Sequence, residues 1–252
     1  MKSFILTFIS FCLISIGTLT QTTYAEGLSN ELYENVLGSY VEEGLVDYAG
    51  LMSDPEDLNK YLKQTSSVSK EAFNGWPTSE QLAFLINLYN AQTLDLIIEH
   101  YPVKSIKDIA KKSGGPWELP VVNLFGDKIT LNALEHELIR KDYPEPRVHF
   151  ALVCAAMGCP ILINKPYNTS TLNDQLEDQT KLFLMDKEKN SIDTKKKTLM
   201  LSPIFDWFKK DFIAKSGSVI EFVNPYFDNQ ANKKFKIKYT HYDWSLNDLA
   251  SK

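Results

Sequence analysis

The chain has 252 residues, with 27 Lys plus Arg against 32 Asp plus Glu, 44% apolar side chains and 3 cysteines. That composition belongs to an ordinary globular protein and excludes low-complexity disorder, collagen and a disulfide-dense mini-protein. No fixed-period self-similarity runs along it, which also excludes a repeat solenoid.

Residues 1–25 read as a cleaved export signal. Lys2 gives a positive start, Phe4 to Leu19 is a nearly unbroken apolar run, and Thr23 and Ala25 place small side chains where a signal peptidase cuts. The run is shorter than the roughly 20 residues of a spanning helix. Cleavage after Ala25 is therefore expected, and it removes Cys12 and delivers the rest to a periplasmic or extracellular space. Residues 26–252 are expected to form one domain with no further membrane span. Their charge is one unit more acidic once Lys2 is gone, which argues against nucleic acid as a partner. The lysine run Lys195-Lys196-Lys197 reads as a solvated hairpin turn.

In chain order, residues 26–50 suggest an N-terminal helix leading into an extended piece at Val46-Asp47-Tyr48-Ala49-Gly50, and Asp57 to Lys63 a short amphipathic helix. Pro77 marks a break, after which Thr78 or Ser79 can cap a helix over about 80–100. Only Asp95 is charged between Glu80 and Glu99, so this helix should be buried on most of its surface. Asn87 and Asn90 lie one turn apart on it, where an unsatisfied amide would cost about 1–3 kcal/mol. Each must tie the helix to a loop or line a site.

Ser105 to Ala110 adds a helical turn, Gly114-Gly115-Pro116 a loop, and Val121 to Phe125 and Lys128 to Leu131 a pair of strands across Gly126-Asp127. A helix then runs from Leu131 to about Lys141. At the α-helical angle, Glu135 sits at the edge of the Leu131, Leu134, Leu138 stripe and His136 on the far side. Val148 to Cys154, apolar but for His149, reads as a buried central strand. Beyond it come a helix from Ser170 to Met185 capped by Thr169 or Ser170, a hairpin over Ser191 to Leu201, a helix opened by Ser202-Pro203, and a strand in which Phe235, Ile237 and Tyr239 alternate with lysines. The fold class is α+β: a mixed or antiparallel sheet packed by several helices.

The chemistry concentrates in Arg147-Val148-His149 to Cys154, followed by Ala155-Ala156-Met157-Gly158-Cys159-Pro160. Three readings compete. Two cysteines in an exported chain can close a disulfide. A thiol nucleophile with a histidine base is the second, with Cys159 at a turn before Pro160 as nucleophile and Cys154 behind it. His149 and His136 are the candidate bases, with His241 beside Asp243 further off. A zinc site comes last, because the C-x-x-C spacing is missing. No cofactor is called for and no metal ligands are assigned.

Five blocks resemble the domain of unknown function 547 family: Asn87-Leu88-Tyr89-Asn90-Ala91, Leu134 to Arg140, Arg147 to Pro160, Ile204 to Phe212, and Tyr242 to Asn247. The usual second cysteine block of that family reads Gly-Ala-x-Ser-Cys-Pro, whereas here Ala155 replaces the glycine and Gly158 the serine. The family carries no assigned activity. The resemblance extends to plant proteins of intracellular character, where a disulfide would not persist, and so it raises the weight of thiol chemistry. It also implies a distant fold-level likeness to papain-like or transglutaminase-like thiol enzymes.

The expected function is therefore thiol-dependent hydrolysis or acyl transfer on an amide or peptide-like ligand. Cys159 or Cys154 would be nucleophile, His149 or His136 base and Glu135 the orienting carboxylate, with Asn87, Asn90 and Arg147 contacting substrate. The alternatives are a non-catalytic binding or scaffolding domain stapled by Cys154–Cys159, and a zinc-binding domain.

Overall fold

The computed structural model describes residues 28–252, so the expected leader lies outside the described residues. Helix α1 (Glu31–Tyr40) runs into a small antiparallel pair, β1 (Val41–Glu42) and β2 (Leu45–Val46). The extended piece expected over 46–50 is cut short, because the Asp47 carboxylate accepts from the Gly50 N–H at 2.8 Å and starts α2 (Tyr48–Ser53). Helices α3 (Glu56–Ser66) and α4 (Lys70–Asn74) then lead to α5 (Thr78–Ile98), whose residues from Leu82 to Ile98 are buried apart from Asp95. Pro77, not Thr78 or Ser79, occupies the cap position of α5, with no side-chain cap bond.

Strands β3 (Val122–Leu124) and β4 (Asp127–Ile129) form the expected hairpin. Thr130 caps α6 (Leu131–Ala133), which widens into a π-helical turn over Leu134–Ile139 before closing as α7 (Arg140–Asp142). Helix α8 (Leu172–Met185) follows without the expected Thr169 or Ser170 cap, since Thr171 stands at its start. The lysine run joins β5 (Ser191–Asp193) to β6 (Thr198–Leu201), and β7 (Lys236–Tyr239) adds in parallel to β6, making a three-stranded mixed sheet. Between β6 and β7 lie α9 (Ile204–Trp207), α10 (Lys209–Ser216) and α11 (Val219–Val223). The whole is a compact α+β domain in which helix dominates and the sheets are small.

The expected central strand over Val148 to Cys154 is absent. Pro146–Phe150 is a 3-10 turn, opened by Pro146 and by the Glu145 carboxylate, which accepts from the Arg147 N–H at 3.1 Å. The following backbone finds its partner in a side chain, not in a neighbouring strand. Asn90 donates to the Ala151 carbonyl at 2.9 Å and accepts from the Val153 N–H at 3.0 Å. A run of buried apolar residues fixes burial but not backbone shape.

Two apolar cores result. The larger surrounds α5 and includes Tyr48, Leu58, Leu131 and Val148, whereas the smaller is aromatic and gathers Phe150, Phe205, Phe212, Phe222 and Tyr242. The cysteine segment lies between them. Its loop pairs with the C-terminal segment, through Met157 N–H to the Ser245 carbonyl at 2.9 Å and Gly158 N–H to the Asp243 carbonyl at 2.8 Å.

Candidate active site

One cavity of about 320 Å³ opens where the two cores meet. Glu135, His136, His149, Cys154 and Cys159, the five residues expected to carry chemistry, all border it, with Tyr89, Trp207, Phe208 and Tyr242 among the other wall residues. They come from separate segments: α5, the π turn, the 3-10 turn, the cysteine loop, α9 and the C-terminal stretch. The π turn accounts for both Glu135 and His136 reaching the cavity, against the α-helical expectation that put His136 on the far side, because its wider winding turns the chain by fewer degrees per residue and brings neighbouring side chains closer in direction.

Cys154 and Cys159 are joined as a disulfide, with their Cα atoms 6.2 Å apart. The Cys159 sulfur lies 2.9 Å from the Cys154 N–H donor and 3.2 Å from the Tyr242 hydroxyl, which is also 3.2 Å from the Cys154 sulfur. Cys159 is buried and Cys154 half-buried. Among the described residues, no group of three or more His, Cys, Asp or Glu side chains is placed to hold a metal ion.

The histidines are held by charged partners. His149 Nε2 lies 2.8 Å from Asp211 Oδ2, and its ring stacks on Phe208 with centroids 3.9 Å apart. Although burial works against its charge, bonds from His149 and Arg140 hold the Asp211 carboxyl far below the usual range, so it is a carboxylate and accepts only. Burial pushes the His149 pKa down, favouring the neutral ring. A neutral imidazole facing a carboxylate must donate its Nε2–H, which leaves Nδ1 with the lone pair. His136 has the opposite tautomer. Its pKa is lowered by burial and by Arg140, and its Nδ1 faces an Arg140 N–H, so Nδ1 accepts and Nε2 carries the proton. His149 is thus equipped as a base, and His136 as a hydrogen-bond donor.

Glu135 accepts from the Tyr89 hydroxyl at 3.3 Å. Burial raises its pKa to about 7, with Asp211 adding to the rise and Arg140 and Tyr89 opposing it. It is a carboxyl poised near neutrality and does not touch either histidine as an orienting group; Asp211 takes that position for His149.

The other expected contacts lie elsewhere. Asn87 clamps Tyr167, accepting from its N–H and donating to its carbonyl, each at 2.9 Å, and Asn90 is spent on Ala151 and Val153. Arg147 pairs with Glu145 at 2.8 Å and Glu177 at 3.4 Å and borders a different surface groove. His241 is exposed and does not border the cavity. The residues that spacing alone did not single out are Tyr89, Arg140, Asp211 and Tyr242. All four fall inside the quoted family blocks, which marked their segments without giving them roles.

The family described as Protein of unknown function, DUF547, matches residues 73–184. That span holds α5, the π turn, both cysteines, Glu135, His136 and His149. No curated relative and no solved structure matches the chain. The match supports assignment of the chain to the DUF547 family, and the matched residues build most of the cavity wall.

Proposed function

We propose that the cavity performs thiol-dependent chemistry on the acyl carbon of an amide or peptide-like ligand once the Cys154–Cys159 pair is reduced. The observation that carries this reading is the convergence of both cysteines, two histidines of complementary tautomer and a near-neutral carboxyl on one cavity. With a dithiol as reductant, the Cys159 sulfur is left between the Cys154 N–H and the Tyr242 hydroxyl, two donors suited to a thiolate. His149, kept in the right tautomer by Asp211, takes the proton of the Cys159 thiol, and the resulting thiolate adds to the carbonyl carbon. His136 supplies an N–H donor for the oxygen that gains charge. The amine leaves with the proton from His149, and water then releases the acyl group from Cys159. Export of the chain belongs to the same reading, because an oxidising compartment keeps such a pair closed until a reductant arrives.

A second reading, a non-catalytic binding domain, draws on a specific observation: the sulfurs are bonded to each other and their polar neighbour is Tyr242, while the histidine hydrogen bonds go to Asp211 and Arg140. One experiment separates the two. The reduced protein is mixed with nitrophenyl acetate and its mass measured after rapid quenching. An acetyl group mapped to Cys159, lost in Cys159→Ser and in His149→Asn, supports the thiol step. Labelling confined to surface lysines rejects it and leaves the binding domain.

A further inference from the structure

The cavity wall has a property that the thiol step does not use. Trp117, Trp207, Trp244 and Tyr242 form a continuous aromatic surface on it, with Tyr242 4.8 Å from Trp207 and 4.6 Å from Trp244 between ring centroids. Trp117 meets Trp244 edge-on at 5.9 Å. The carboxyl groups of Glu135 and Glu118 stand on the same wall, and no lysine or arginine borders it. Indole faces carry negative potential and attract cations. Trp244 already does so within the fold, since Lys107 Nζ sits 4.6 Å from its centroid without itself bordering the cavity.

We propose that the cavity selects ligands bearing an organic ammonium group, held by the aromatic wall through cation–π attraction and by the Glu135 carboxylate that borders the same cavity. The inference rests on taking this cavity as the ligand site, and is independent of the thiol step. An anionic ligand would meet two carboxyl groups and no counter-cation on the wall. A neutral ring would satisfy the indoles but leave Glu135 without a charged partner. The groups that act on Glu135 are Tyr89 and Arg140, which favour its ionised form, and Asp211, which opposes it; Tyr242 also lies within its field. A bound cation adds to the first pair, so binding near neutral pH should expel a proton from Glu135.

Calorimetry on the disulfide form tests this without any turnover. The probes are choline, its neutral carbon isostere dimethylbutanol, and benzoate, each titrated at pH 7 in two buffers of different ionisation enthalpy. Choline should bind about tenfold more tightly than dimethylbutanol, with proton release. Glu135→Gln should abolish the proton release and most of that preference. Glu118→Gln, at an exposed position where folding is not at stake, should weaken choline about threefold. Equal or tighter binding of dimethylbutanol or benzoate, or no binding of all three, would overturn the proposal. A protein that prefers choline yet never acylates on Cys159 keeps this inference and loses the thiol step. One that acylates but prefers the neutral probe loses this inference alone.

Discussion

Asn87 and Asn90 on α5 and Glu135, His136 and His149 around the cavity are all polar groups set among apolar side chains, but they are spent differently. Each asparagine uses both ends of its amide on backbone groups of one loop, at 2.9 to 3.0 Å, and neither borders the cavity. Glu135 has one long bond from Tyr89, His149 keeps a nitrogen lone pair after bonding Asp211, and His136 keeps an N–H after bonding Arg140. Polar groups spent on backbone partners in the core specify the fold, and groups with spare capacity on a cavity wall are available for chemistry.

The largest expected effect falls on the asparagines. Asn90→Ala strands the Ala151 carbonyl and the Val153 N–H in the core and should cost about 4 kcal/mol in urea unfolding. A loss below about 1 kcal/mol would break the contrast.

Glu135→Gln should act in the opposite direction. The folded protein holds the Glu135 carboxyl near 7 against an ordinary 4.5, so it keeps a proton that the unfolded chain has lost between those values. Stability from this group is full below pH 4.5 and drains away as pH rises through 7. At pH 8 Glu135→Gln should therefore be more stable than the parent by up to about 3 kcal/mol, with the gap closing toward pH 5, while most of the choline preference is lost. A variant less stable than the parent at pH 8 would show that Glu135 is structural after all.

Asp211→Asn comes next, with an expected cost of about 2 kcal/mol at pH 7 from weakened bonds to Arg140 and His149. The depressed Asp211 pKa stabilises the fold above the ordinary carboxylate range, and that contribution is lost as pH falls through its folded value. His149, whose folded pKa is lowered, destabilises the fold as pH drops below 6.5, because the unfolded chain then takes up a proton the folded one refuses. Acid unfolding monitored by circular dichroism should begin at higher pH in the variant than in the parent.

The smallest effect concerns the cysteine loop. Ala155 has φ of 55°, the left-handed region that glycine occupies freely, and glycine is the residue its family block usually carries there. Ala155→Gly should gain at most about 1 kcal/mol. Gly158 differs, because a Cβ there would stand 2.8 Å from the Asp243 nitrogen, so the serine usual at this position requires the C-terminal segment to shift.

Legibility followed the range of the interactions. Helix α5 was readable because its burial is written in an unbroken local run, and so were the β3–β4 and β5–β6 hairpins, marked by Gly126-Asp127 and the lysine run. The Val148 to Cys154 segment was not. Its backbone is shaped by Asn90, about 60 residues earlier, and nothing in an apolar run announces a side-chain partner at that distance. Clustering of Glu135, His149 and the cysteines was legible in outline. The role of Asp211 and Tyr242 was not, since it arises only when the aromatic core packs against the cysteine loop and the 3-10 turn.

The central claim is that Cys159, once reduced, sits between two donors that suit a thiolate, on the same cavity as a neutral base. Its most direct measurement is the pH dependence of Cys159 alkylation by iodoacetamide in the reduced native protein, read by mass spectrometry at each sulfur. The expected result is rapid labelling of Cys159 with an apparent pKa below the ordinary 8.5 of a thiol, shifted upward in Tyr242→Phe and altered in His149→Asn. Labelling of Cys159 no faster than in the unfolded chain, or two sulfurs that stay joined and unreactive under reductant that leaves the fold intact, would contradict it.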